Sequence, residues 1–388
     1  MRPEFDSVID RHGTDSLKWD TSPNDTIPMW VADMDFPVAE CIKDAVMRRA
    51  ESGIYGYPII PEDLYQSYME WWSSRHDFDI RREWMIFCTG VIPAINSIIQ
   101  SMTGPDELIL LQTPAYNTFF RCILESNRSP KEVSLGIEGD RYVMDLEALE
   151  KGLSDPKVKL MILCNPHNPV GRIWDRDTLI KVAEMCKEHG VTVISDEIHC
   201  DLTEPGIDYV PFLSVSDTAK EIGITCIAPT KSFNMAGLRS SMILVPNKEL
   251  RQKVFDGVKR NGVSSPNTFS VDATISAFRY GKEWLDDVRE YIFDNRDIVR
   301  SFLKENLPEL ELFHNEATYL LWIRIPYETP DGSNIADLLT KNAKVMFSDG
   351  SIFGSDGKGF IRMNIACPRS LLMEGLERLK NSIMLNFK

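Results

Sequence analysis

Six short apolar runs do most to limit what this chain can fold into: Met85–Cys88, Leu108–Leu111, Leu160–Cys164, Val191–Ser195, Ile224–Ile227 and Met242–Val245. They are too short for buried helices, and they read as strands covered on both faces. The segments between them are mainly helical in pattern. That alternation predicts an α/β fold: a mainly parallel sheet with helices on both sides. In such a sheet a ligand sits beyond the carboxyl ends of the strands, and the unusual residues of this chain cluster there.

A chain of 388 residues is too long for one simple core, so two domains are expected. The pattern changes after Gly281. Trp284, Val288, Ile292, Asn295, Val299 and Phe302 follow a helical stripe for about 20 residues, long enough to link two domains. A strand over Thr318–Ile325, a helix near Asn334–Asn342, a strand over Phe360–Ala366 and an amphipathic helix from Leu371 then form a smaller α+β unit. Residues 1 to about 45 read as irregular and rich in Pro, Asp and Trp. Within them, Pro28-Met-Trp-Val-Ala-Asp-Met-Asp-Phe-Pro37 suits a lid or a packed arm, and the arm is expected to join the smaller unit. Ile54-Tyr-Gly-Tyr-Pro58 is a turn-like aromatic cluster, followed by a helix from Glu62 to about Arg75. The expected division is a large domain over 46–284, and a small one made of 1–45 and 285–388.

The net charge is −15, from 43 Lys and Arg against 58 Asp and Glu, with no basic run. Nucleic acid and anionic membrane surfaces are therefore poor partners. Apolar content of 43% and charged content of 26% are ordinary for a soluble globular protein. No apolar run approaches membrane-spanning length, and the N-terminus is acidic where a signal peptide is apolar. Eight cysteines lie scattered with no Cys-x-x-Cys pair, so neither a metal site nor a disulfide framework is expected. They read as buried small hydrophobes, and the cytoplasm as the compartment.

At the strand ends, Phe87-Cys-Thr-Gly90-Val91-Ile92-Pro93 puts a glycine where a strand turns into a helix. The free N–H groups there suit a phosphate, although many strand–helix turns look like this. Tyr116, after the next strand, could stack on a flat ring or simply pack. Asn165-Pro166-His167-Asn168-Pro169-Val-Gly171 forms a rigid loop that presents amide side chains, or a tight turn with its own capping. Ser195-Asp196-Glu197-Ile-His199 offers a carboxylate that can pair with a protonated ring nitrogen; the plainer reading is a helix cap with solvated acids. In Pro229-Thr230-Lys231-Ser-Phe-Asn a lysine follows a buried strand. Desolvation favours its neutral amine, which can add to a carbonyl, unless it is a surface lysine in a turn. Together the set matches what pyridoxal 5′-phosphate requires.

These motifs resemble those of the class I/II aminotransferase fold, the fold-type I pyridoxal phosphate enzymes. Trp30-Val-Ala-Asp-Met-Asp-Phe-Pro37, Tyr55-Gly-Tyr57-Pro58, Thr89-Gly-Val-Ile-Pro-Ala94, Ser195-Asp-Glu-Ile-His199, Phe353-Gly and Gly359-Phe-Ile-Arg362-Met-Asn-Ile-Ala-Cys-Pro-Arg369 are similar to one branch, the MalY/PatB group of cystathionine β-lyases (C–S lyases). The resemblance runs from about residue 3 to 380. It implies that Lys231 bonds the cofactor aldehyde and shuttles the Cα proton, and that Asp196 pairs with the pyridinium nitrogen. Asn168 and His199 would face the phenolic oxygen, and Tyr116 would stack on the ring. Gly90, with the N–H groups of Val91 and Ile92, Thr230 and Arg239, would hold the phosphate. Arg362 would clamp the substrate carboxylate, with Asn168 and Tyr116 also facing the substrate. Tyr57 would reach the cofactor of a neighbouring subunit, which implies a homodimer with shared sites.

The implied reaction is β-elimination of a cysteine thioether to a thiol, pyruvate and ammonia. Transamination begins from the same constellation, and a regulatory binding protein could keep the fold without the turnover. Intact Lys231 and Arg362 argue against the last. Related sequences often carry a second aromatic or a histidine after the stacking tyrosine; Asn117 stands there and changes the expected polarity of the substrate pocket. Many transaminases have tyrosine at position 199, so the histidine favours the lyase branch.

Overall fold

The structure, a computed structural model, describes residues 3–329 and 334–387. Seven strands form the main sheet: β1 (Met85–Cys88), β2 (Leu108–Thr113), β3 (Ser129–Ser134), β4 (Val158–Cys164), β5 (Thr192–Asp196), β6 (Gly223–Ile227) and β7 (Ser241–Leu244). Their order is β1-β7-β6-β5-β4-β2-β3. Only β7 runs antiparallel to its neighbours, β1 and β6; the other pairings are parallel. Alternation along the strands feeds two cores. Met242 and Leu244 enter the larger one, and Ile243 the smaller.

All six expected strands form, with ends moved by a residue or two. The sequence reading missed β3. Its residues, Ser-Pro-Lys-Glu-Val-Ser, are polar because β3 is an edge strand with only Val133 buried. The N-terminal stretch is also more regular than expected, since a helix over Glu40–Glu51 starts inside it. That helix has no side-chain cap to announce its beginning.

Beyond the 25-residue helix Lys282–Asn306, four strands make an antiparallel sheet: β8 (Glu311–Leu312), β9 (Leu320–Arg324), β10 (Ser348–Asp349) and β11 (Phe360–Asn364), in the order β8-β9-β11-β10. Helices Ile335–Asn342 and Arg369–Phe387 pack with it. Asn334 caps the former through its side-chain oxygen, 2.7 Å from the Ala336 N–H. The N-terminal arm is tied here too: Ile27–Pro28 pairs in parallel with Val345–Met346.

One glycine joins the Asn-Pro loop to this second sheet. Gly171 has φ of 68°, and a Cβ there would lie 2.0 Å from Asn315 Nδ2. Its carbonyl accepts the N–H groups of Glu316 and Ala317. Only glycine allows both the conformation and the approach. The eight cysteines are free, and all but Cys41 are buried. No helix among the described residues is long and apolar enough to cross a membrane.

Candidate active site

A cavity of about 370 Å³ opens at the carboxyl ends of β1, β2, β4, β5 and β6. Its walls include Gly90, Val91, Ile92, Tyr116, Asn168, Asp196, His199, Thr230, Lys231 and Arg239. Each arrives by a local rule. Gly90 ends the turn after β1, and the helix Val91–Met102 begins with no side chain capping it, so its first N–H groups face outward from the helix end. Tyr116 precedes the helix Asn117–Glu125. Asn168 stands in the loop after β4, whose two Asn-Pro bonds are both cis. Asp196 is the last residue of β5, and Lys231 lies in the turn after β6.

The charges here are held far from their ordinary behaviour. Burial pushes the Lys231 amine down to about 8, with Arg362 acting in the same sense and Asp33 and Asp196 against it. Lys231 Nζ donates to the Ala32 carbonyl at 2.5 Å. Burial pushes the Asp196 carboxyl up to about 7, resisted by the Ile198 N–H at 3.1 Å and by Lys231. His199 is pushed down to about 3 by burial and by the charges of Lys231 and Arg362, so it is neutral, and among the described residues its Nδ1 has no partner.

Arg362, on β11, is buried beside this cavity and not in its lining. Nη1 donates to Asn168 Oδ1 at 3.1 Å, and Nη2 to the Trp30 carbonyl at 2.9 Å and Ser348 Oγ at 3.2 Å. The guanidinium lies 4.9 Å from the Phe353 ring centre, and its Nε is unpartnered. Among the described residues no carboxylate pairs with it. Burial lowers its pKa to about 10, which leaves it charged near neutrality.

Tyr57 is not brought to this cavity. It is fully exposed, in an apolar stretch with Ile54, Tyr55 and Ile59 also exposed. The sequence reading missed Ala32, Thr118, Arg121, Cys164 and Ile198, which also line the walls, beside Thr89, Pro93 and Ala236. Cys164 and Ile198 sit within motifs already singled out, so their position was the available signal. Ala32 likewise sits within the Trp30–Pro37 motif, but its neighbours here are distant in the chain. The other loop amide, Asn165, turns away to the Val210 carbonyl at 2.9 Å.

These residues fit pyridoxal phosphate. A lysine with a lowered pKa, an acid with a raised one, a buried neutral imidazole and an uncapped helix start complement an aldehyde, a protonated ring nitrogen, a phenolic oxygen and a phosphate.

The comparisons agree. The chain is 38% identical to cystathionine beta-lyase PatB of Bacillus subtilis (strain 168), covering 98% of this chain and 99% of that one. A PLP-bound putative aminotransferase from Clostridium difficile 630 superposes with a TM-score of 0.93 at 39% identity, over 98% and 99% of the two chains. A PLP-bound C–S lyase from Staphylococcus hominis gives 0.93 at 31%, over 99% and 100%. The model of the family described as aminotransferase class I and II matches residues 25–379. The chain belongs to that family, and within it to the MalY/PatB group.

Proposed function

We propose that the protein is a pyridoxal phosphate-dependent carbon–sulfur lyase. It converts a cysteine thioether and water into a thiol, pyruvate and ammonia. One observation carries the substrate side: Arg362, a buried guanidinium with no acid paired to it among the described residues, bonded to Asn168 on the wall of the Lys231 cavity. A buried cation without an anion is costly, and an amino-acid carboxylate would supply the missing charge through two parallel bonds.

The cofactor supplies an aldehyde for the lysine and a protonated ring that accepts the electron pair left when the Cα proton departs. Lys231 is partly unprotonated near neutral pH, so its amine can bond the aldehyde and later take that proton. Asp196 would hold the proton on the ring nitrogen, and paired with that cation its buried carboxyl would stay ionised. Neutral His199 and Asn168 would serve the phenolic oxygen, and Tyr116 the ring. Gly90, Thr230, Arg239 and the N–H groups of Val91 and Ile92 would hold the phosphate.

The division proposed is a large domain over 46–284 and a small one of 1–45 and 285–388, each boundary falling inside a helix, Glu40–Glu51 and Lys282–Asn306. The strand pairing of Ile27–Pro28 with Val345–Met346 supports placing the arm with the latter. A second copy covers the exposed Ile54–Ile59 stretch, which carries Tyr57 to the partner's cavity. The free cysteines fit a cytoplasmic protein.

The test is incubation with L-cystathionine, and separately with L-methionine plus a keto acid. Pyruvate and thiol from the first supports the lyase. Amino-group exchange without pyruvate identifies an aminotransferase, the activity for which the C. difficile relative is named. Cofactor binding with neither reaction identifies a regulatory protein.

A further inference from the structure

The chain leaving β5 turns its acids in three directions. Asp196 faces the cavity. Glu197 accepts from Ser195 Oγ at 2.8 Å, the Phe212 N–H at 2.9 Å and the Tyr209 hydroxyl. Asp201 lies behind the cavity wall, only 2% exposed, and both its oxygens have partners. Oδ1 accepts from Trp71 Nε1 and from His76 Nε2, each at 3.0 Å, with Arg75 Nε 4.0 Å away. Oδ2 accepts from the hydroxyl of Ser232 at 3.1 Å. Burial alone would raise its pKa; the bond and charge of His76, with Arg75 and Trp71, outweigh burial and hold the carboxyl below its ordinary value.

Ser232 is fully buried and adjoins Lys231. Their turn is closed by the Phe233 N–H on the Pro229 carbonyl at 2.9 Å and the Met235 N–H on the Thr230 carbonyl at 3.0 Å. The Phe233 ring meets Trp71 edge-on at 5.7 Å. One helix, Glu62–His76, therefore reaches the lysine turn twice, through Asp201 and through this ring pair. Cys200 also approaches: ligand atoms of His76, Cys200 and Asp201 lie within 4.8 Å of one another. Both Asp201 oxygens already accept hydrogen bonds and a guanidinium stands close by, so the cluster is built to hold the turn and not a metal ion.

We infer that Asp201 is a positioning residue: acting through Ser232, it fixes the turn that keeps the Lys231 amine inside the cavity. The inference rests on Lys231 being the residue that bonds the cofactor. Borohydride reduction of the wild-type holoenzyme checks that separately, because labelling at another lysine would overturn the functional reading itself.

The experiment compares Ser232→Ala, Asp201→Asn and the double variant. Each single substitution is expected to lower kcat by about tenfold to a hundredfold while KM moves by less than about threefold, the pattern of a misplaced reacting group. If the two act as one device, the double variant loses no more than about threefold beyond the worse single one. A second readout needs no turnover. Apoprotein is mixed with pyridoxal phosphate across a pH series, and the absorbance of the lysine-bound form is followed. A loosened turn hydrates the amine, so the pH midpoint of bonding should move up in both single variants. Multiplicative losses in the double variant, or an unchanged kcat and midpoint in Ser232→Ala, would overturn the inference. Should Asp201→Asn not fold, Ser232→Ala alone decides by its kcat–KM split and its midpoint.

Discussion

Two buried aspartates with the same exposure, 4%, are provided for in opposite ways. Asp35, in the N-terminal arm, accepts from Arg11 Nη1 at 2.7 Å, Lys18 Nζ at 2.7 Å and Trp19 Nε1 at 2.9 Å. Asp196, at the end of β5, has a backbone N–H at 3.1 Å, and its neighbours in register across the sheet are Cys164 and Cys226. The first is a knot: charges and donors meet its every need inside the chain. The second is the unfinished side of the pair: among the described residues no cation is bonded to its buried acid. Lysines divide likewise, for Lys18 faces two acids while Lys231 faces a carbonyl. Burial by itself therefore does not separate the two sites; an opposite charge bonded inside the chain does.

The sharpest way to break that comparison is to remove the unfinished side's reactive group. Lys231→Ala should lower turnover by on the order of a thousandfold or more, as expected for loss of a positioned acid–base group, without unfolding the protein. Borohydride labelling should vanish with it. On the knot side, Asp35→Asn leaves Arg11 and Lys18 with Asp33 as their remaining acid, at 3.1 and 3.6 Å, and should cost about 1–3 kcal/mol of folding stability in denaturant titration. Asp196→Asn, matched in shape, should cost less than about 1 kcal/mol of apoprotein stability while weakening cofactor binding. Equal losses from these two would erase the distinction.

Arg362→Lys tests the substrate side. A lysine cannot reproduce the two-pronged carboxylate contact, and each charge-assisted bond is worth about 1.5–3 kcal/mol, so kcat/KM should fall by about tenfold to a thousandfold. Cofactor absorbance should survive.

The smallest effect is in pH. Burial holds the folded Asp196 pKa at about 7 against 3.8 for the free group. Between those values the folded apoprotein binds the proton that the unfolded chain has released, so Asp196 takes away stability as pH rises. Asp196→Asn removes that contribution. Its stability relative to wild type should improve from pH 5 to pH 7, and a flat difference would contradict the raised pKa.

Most of the sheet and the cofactor wall were legible because both are local. Apolar runs announce strands, and the residue after each run is where its side chain meets the cavity. Edge strand β3 escaped because a strand buried at one residue carries no apolar signature. Arg362 was legible only through its resemblance to a family, since its partners Asn168 and Trp30 lie 194 and 332 residues away. Asp201 escaped for the same reason: its contacts to Trp71 and Ser232 span 130 and 31 residues. Tyr57 shows the opposite limit, being a residue whose proposed partner is not in its own chain.

The arm over Trp30–Asp33 has a consequence for how the protein is made. Its carbonyls meet Lys231, Tyr319, Arg362 and Asn364, so the first part of the chain is fastened by the last. During synthesis the arm emerges long before those partners exist, and it must stay unattached while the sheet forms behind it. A nascent chain released before β11 would have its seven-stranded sheet complete and every residue of the cavity wall made, yet it would lack the Arg362 and Asn364 side chains that fasten the arm.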